Sequence, residues 1–158
     1  MNIPKSYYRI MLGRQSTFAK ECYDGQFIGA DFGFDCDLSD SLPEDWREFN
    51  KRFRPIFREK FPEKSVVAAG LACGALHTVC KGIKQGDIVL CPNGSGQYWV
   101  GEIISDYYYA SGQNLPSCRH VNWLPVVIDR TEMSAELKNS TGSIGTVSKI
   151  SKYKAEID

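Results

Sequence analysis

The sequence predicts an α+β domain, a small curled β-sheet or open barrel with helices packed on one side. Three observations predict it. Short runs of apolar, β-branched and aromatic residues stand near both ends of the chain. Helical spacing of apolar residues is confined to an early block, residues 46–82. Between that block and the last strands lies a hairpin signature, with Gly86-Asp87-Ile88-Val89-Leu90 and Gln97-Tyr98-Trp99-Val100-Gly101-Glu102-Ile103-Ile104 flanking Asn93-Gly94-Ser95-Gly96.

Each element follows from local chemistry. Tyr7 to Leu12 is a short apolar run closed by Gly13, the first strand. Arg14 to Asp24 is mixed, with a helical turn that directs Phe18 and Ala19 inward. Gln26 to Gly33 reads as a second strand, in which glycine marks a close approach of backbone or ligand. Asp35 to Pro43 is an acidic loop. Trp46, Phe49, Phe53, Ile56 and Phe57 recur at helical spacing and make a core-facing stripe, with Pro55 expected to bend or break the helix. Ser65 opens a helix of small residues from Val66 to Lys81, closed by Gly82. Gly70 and Gly74, four apart, let that helix approach its neighbour closely.

After the hairpin come the run Tyr107-Tyr108-Tyr109 and a strand through Arg119-His120-Val121-Asn122-Trp123-Leu124. Pro125 places an edge or a bulge before Val126-Val127-Ile128. Thr131 to Leu137 reads as a short helix with Asp129 or Thr131 near its cap, and Ile144 to Ile150 as the last strand. Residues 1–151 thus form one domain, and 152–158 a polar tail or the start of a linker.

At 158 residues, 42% apolar and 24% charged, the chain is in the globular range and long enough to bury a core. Nineteen basic and nineteen acidic residues cancel, so the bulk positive charge of a non-specific nucleic-acid binder is missing. Any such binding must run through a pocket and a local basic rim. None of the six cysteines is paired as C-x-x-C, and His77 and His120 lie far apart, so buried free thiols are expected rather than a metal site. No apolar run is long enough to span a bilayer, and a cytoplasmic location is the expectation.

Catalytic patterns are sparse. Asn93-Gly94-Ser95-Gly96 lies between strands, so no helix N-terminus receives a phosphate there, and no G-x-S-x-G occurs. Asp129 with Glu136-Leu137-Lys138 imitates a nuclease ending, but Glu136 and Lys138 fall on different faces of a helix. Cys118 and His120 share a strand face without an orienting third group. The expectation is a recognition domain, not an enzyme, with no cofactor and no metal.

The aromatic residues carry more information. Tyr98 and Trp99 point to opposite sides of one strand, so one faces the core and the other is available. Gly101 leaves a gap beside Trp99 on the same face, and Tyr107 to Tyr109 follow directly on a strand end. Rings beside a strand end are suited to a planar ligand, of which a nucleobase is the commonest.

Taken in order, Gly25 to Gly33, the helical middle, Gly82 to Val89, Tyr98 to Ile103, the tyrosine run, Arg119 to Leu124 and Thr146 to Ile150 resemble an EVE-like domain of the PUA superfamily. The resemblance is strongest to the DNA-reading N-terminal domains of modification-dependent restriction proteins of the Mrr and McrB kinds. It implies a PUA-like fold and a reader that flips one base, a methylated adenine or modified cytosine, out of duplex DNA into an aromatic cage. It implies as partner a fused or separate nuclease or motor domain that acts in restriction and phage defence. One cage wall maps onto Asp31 and Phe32, the latter where many relatives carry tryptophan, and another onto Tyr107, Tyr108 and Tyr109, with Trp99 beside them. Arg14, Lys20, Lys81, Lys84 and Arg119 are the expected phosphate contacts. An RNA-binding PUA-type module, or a small-molecule or protein-interaction domain using the same cage, is the alternative.

Overall fold

The computed structural model describes residues 5–134, 147–151 and 157. Among the described residues seven strands form one strongly curled, open half-barrel sheet, with three helices packed alongside. The strands are β1 (Tyr7–Ile10), β2 (Phe27–Ala30), β3 (Ile88–Pro92), β4 (Gln97–Ile103), β5 (Tyr108–Tyr109), β6 (Ser117–Asp129) and β7 (Val147–Lys149). The helices are α1 (Ala19–Gly25), α2 (Trp46–Lys60) and α3 (Val66–His77). The expected α+β class is what the chain adopts. Spatial order is β2-β6-β4-β3-β1-β7, with β5 also on β6 and β1 parallel to β3.

Strand β6 organises the sheet. Its first residues pair with β2 and with β5, so both of its edges are occupied there. Its remainder pairs with β4, and the register passes from Gly101↔Trp123 to Trp99↔Val127, a bulge around Pro125. A proline cannot donate to a ladder, so the strand accommodates it by stepping out of register. The hairpin β3–β4 closes through Asn93, whose main-chain N–H donates to the Gln97 carbonyl at 3.0 Å while its side chain accepts from Ser95 N at 2.8 Å.

The helices dock through size and capping. Asp45 caps α2 by accepting from Arg47 N, and Ser65 caps α3 by accepting from Ala68 N. Phe49, Phe53 and Phe57 are buried at i, i+4, i+8, and Phe49 stacks on Phe53 at 4.4 Å. Trp46 and Ile56 are exposed, so the buried stripe is narrower than its spacing implies. Of the bend or break expected at Pro55, the break does not occur: α2 runs on through it. That residue is on the exposed side, where a carbonyl left without its N–H donor can be solvated rather than buried unpaired. Asn50 on α2 donates to the Gly70 carbonyl of α3 at 3.2 Å, and a Cβ at Gly70 would meet only the Arg54 side chain at an ordinary 3.9 Å.

The small-residue helix also ends earlier than its composition implies. After His77 it relaxes into a wider π-helical turn, Thr78–Gly82. Such turns recur at functional sites because they free carbonyls and re-aim side chains. A second, smaller core of Tyr7, Ile88, Leu90, Tyr98, Val100, Met133 and Ile150 lies apart from the main one. Of the segment expected as a helix, Thr131 to Leu137, the described part begins in a 3-10 turn, Arg130–Glu132, capped by Asp129 as expected, and residues 135–137 lie outside the described residues. Residues 135–146, with the nuclease-like Glu136 and Lys138, and 152–156 of the predicted tail lie outside the described residues. Among the described residues no helix is long and apolar enough to cross a membrane.

Candidate functional site

A cavity of about 270 Å³ opens where the π-helical turn, the turn before β3 and the link between β4 and β5 meet. Its lining includes Tyr107, Arg119, Lys81, Lys84, Gln85 and Asp106. Each is placed by local hydrogen bonding. The buried Asp87 carboxylate accepts from Lys84 N at 2.8 Å and from Ser6 N at 2.9 Å, which fixes the turn carrying Lys84 and Gln85. Gly86 adopts a positive φ of 93° in that turn, and its N–H donates to the Ile103 carbonyl at 2.7 Å. Gln85 Nε2 donates to Asp106 Oδ1 at 3.0 Å, tying the turn to the β4–β5 link. Tyr107 Oη accepts from Leu38 N at 2.9 Å, so its half-buried ring is held as a wall.

Arg119 is the least expected member. It is 2% exposed, not a surface phosphate contact. Its Nε donates to the Ser105 carbonyl at 2.9 Å, and its Nη1 to the carbonyls of Val79 (3.2 Å) and Ile83 (2.6 Å). Those last two carbonyls belong to the end of the helical segment, which lacks following N–H groups to cover them. The guanidinium therefore caps the helix from inside the sheet. Burial lowers its pKa, yet an arginine keeps its proton in such surroundings.

Lys81 and Lys84, expected as phosphate contacts, line the cavity, and both meet one carboxylate, Glu44, at 3.2 and 3.7 Å. The hydrogen bond and charge of Lys81, then the charge of Lys84, lower the Glu44 pKa. Lys20 is 85% exposed and ion-paired with Asp24 at 2.9 Å, apart from the cavity. The side chain of Arg14 lies outside the described residues.

The predicted cage residues are not gathered round one point. Asp31 is exposed, and Phe32, at a φ of 51°, packs half-buried against the main core; neither lines the cavity. The tyrosine run divides because β5 alternates. Tyr108 stacks on His120 at 4.2 Å, while Tyr109 Oη donates to Asp35 Oδ1 at 2.8 Å. Trp99 stacks on Tyr23 of α1 at 4.2 Å, beside Trp123, whose indole N–H donates to the Cys22 carbonyl at 3.3 Å. The gap expected at Gly101 is filled, since a Cβ there would strike Val121 and the Trp123 ring. Of the six predicted cage residues only Tyr107 lines the cavity. Gln85, Asp106 and Glu44 were missed; the available signal was their position beside Gly86, beside the tyrosine run and before a helix cap.

The cysteines behave as thiols. Cys118 is buried and donates to the Leu115 carbonyl at 2.9 Å, and burial pushes its pKa up to about 11. His120 is stacked on Tyr108, so no thiolate–imidazole pair forms between them. Burial also raises Cys73 to about 11 and Cys80 to about 12, and only Cys36 is exposed. Brief alkylation of the native protein at neutral pH is expected to modify Cys36 alone, and all six cysteines after denaturation, as read by mass spectrometry. Modification of Cys118 in the native protein would refute this account. Among the described residues no group of histidine, cysteine and carboxylate side chains could hold a metal ion.

A family model described as "Domain of unknown function (DUF8426)" matches residues 8–151. No curated protein matches the chain.

Proposed function

This chain belongs to the DUF8426 family, a domain of unknown function, and we propose that it is a recognition module for a modified base in duplex DNA. One extruded base, a methylated adenine or a modified cytosine, enters the cavity beside Tyr107, and the bound domain targets a fused or partner restriction effector in the cytoplasm. The observation that carries this reading is the cavity itself. It joins an immobilised aromatic ring, polar groups at Gln85 and Asp106, and cations at the rim, in a volume of about 270 Å³. That volume is just below the roughly 300–1,000 Å³ of drug-sized ligand sites and suits a single heterocycle.

The energetics ask for both wall and rim. Extruding a base costs a few kcal/mol, and one aromatic face returns about 1–3 kcal/mol. A single wall at Tyr107 therefore leaves the balance close to zero, and contacts to the strand through Lys81 and Lys84 must supply the rest. A methyl group buried on the base adds about 0.8 kcal/mol, roughly a fourfold preference. Asp106 and the Gln85 carbonyl oxygen offer acceptors to an exocyclic amine, which adenine and cytosine both carry.

Gel shifts with one duplex carrying no modification, methylated adenine, or methylated, hydroxymethylated or glucosylated cytosine test the proposal, with a structured RNA alongside. At least a fourfold preference (~0.8 kcal/mol) for one modified duplex is expected. Equal retention of every duplex would refute it, and tighter binding of the RNA would favour an RNA-binding module.

A further inference from the structure

We propose that Lys81 and Lys84, at the mouth of this cavity and in front of the buried charge of Arg119, form a phosphate-binding site, and that the Glu44 carboxylate occupies the two lysines in the free protein. The inference rests on the reading of the cavity as a ligand site, but not on its ligand being a base.

Three features carry it. First, the lining holds three cationic side chains, Lys81, Lys84 and Arg119, against one carboxylate, Asp106. Arg119 is buried, its hydrogen bonds among the described residues go to main-chain carbonyls, and the charges of Asp106 and Asp87 act on it from beyond ion-pair distance. A buried guanidinium held only by carbonyls keeps its full charge and attracts an anion to the space beside it. Second, Lys81 and Lys84 converge on a single carboxylate, and the Lys84 ammonium also donates to the Lys81 carbonyl at 3.2 Å, which holds the two cations together. Two cations converging on one group of oxygens match the contacts a phosphate makes, with more acceptor oxygens than a carboxylate can offer.

Third, Glu44 is delivered there by the fold but is not buried there. His77 Nε2 lies 2.8 Å from the Pro43 carbonyl, which fixes the chain one residue before Glu44. Its side chain is nevertheless 78% exposed. An exposed ion pair is weak and readily exchanged, so Glu44 is a displaceable counter-ion rather than a structural one. The same side chain keeps the lysines from repelling each other while no ligand is bound, and raises the threshold for weak anions.

Calorimetric titration of the folded chain with inorganic phosphate and with a nucleoside monophosphate tests the site, using E44Q and the double variant K81M/K84M. All three positions are at least partly exposed, so circular dichroism should remain that of the parent. E44Q is expected to bind phosphate about two- to fivefold more tightly, the range of one exposed ion pair. K81M/K84M is expected to lose about tenfold or more, the range of two charge-assisted hydrogen bonds. No measurable phosphate binding, or affinity unchanged in E44Q, would overturn the proposal.

The arms also separate the source of the phosphate and the fate of the base-reading proposal. If it belongs to a DNA strand, K81M/K84M lowers duplex affinity and flattens its salt dependence. If it belongs to a free nucleotide, duplex affinity is unchanged and the monophosphate binds more tightly than inorganic phosphate. Phosphate binding without any preference among modified duplexes sustains the anion site and removes the base reader. The opposite pattern removes the anion site alone.

Discussion

Truncating Tyr107 to alanine is expected to weaken binding of the preferred modified duplex by about 1–3 kcal/mol, roughly 5- to 150-fold. Among the described residues the ring is the one aromatic wall of the cavity, and alanine removes its face without touching the lysines. Tyr107→Phe should keep most of the affinity, because the face survives and only the acceptor for Leu38 N is lost. Phe32→Ala and Trp99→Ala should bind as the parent does at equal folded fraction, since neither residue lines the cavity. Fluorescence anisotropy with a labelled duplex reads all four variants. Should Trp99→Ala abolish binding while Tyr107→Ala does not, the ligand site would instead be the surface formed by Tyr23, Trp99 and Trp123.

The largest loss of stability is expected at Phe49. Its side chain is fully buried, stacked on Phe53 at 4.4 Å and tilted against His77 at 5.4 Å. Phe49→Ala should cost about 3–5 kcal/mol, a transfer loss plus the cavity left between α2 and α3. Leu71→Ala, on the same helix as His77 but 72% exposed, should change stability by less than about 0.5 kcal/mol. Urea unfolding followed by circular dichroism compares them. A Phe49→Ala loss below about 1 kcal/mol would mean that the two helices repack freely around the gap. The position also bears on the cavity, because His77 holds Pro43 and so places Glu44 between the lysines.

Local chemistry left clear marks in the sequence. The hairpin through Asn93 and Gly96, the caps at Ser65 and Asp129, and the bulge at Pro125 each depend on residues within a few positions of one another. Those features are legible because hydrogen bonds, φ preferences and side-chain alternation act over one turn or one strand pair. Pro55 misleads for an instructive reason. Its cost depends on whether water reaches the carbonyl it abandons, and that is set by which side of α2 faces outward.

The same division runs through the candidate site. Alternation along β4 correctly separates Tyr98 from Trp99, and Tyr98 is the buried one, its hydroxyl accepting from Arg130 at 2.9 Å. Alternation says nothing of what lies across from each face. The tyrosine run, adjacent in sequence, is dispersed for that reason: β5 pairs with β6 and sends Tyr108 to His120 and Tyr109 to Asp35.

What the sequence by itself determined was the α+β class and the order of the elements. The tertiary structure decided that Arg119 is buried, that Trp99 belongs with α1, and that Gln85, Asp106, Tyr107 and the Lys81–Lys84 turn share one cavity. The physical reason is range. Backbone pairing and capping are fixed by neighbours in the chain, whereas burial and charge at a site depend on which distant segments the curled sheet brings together.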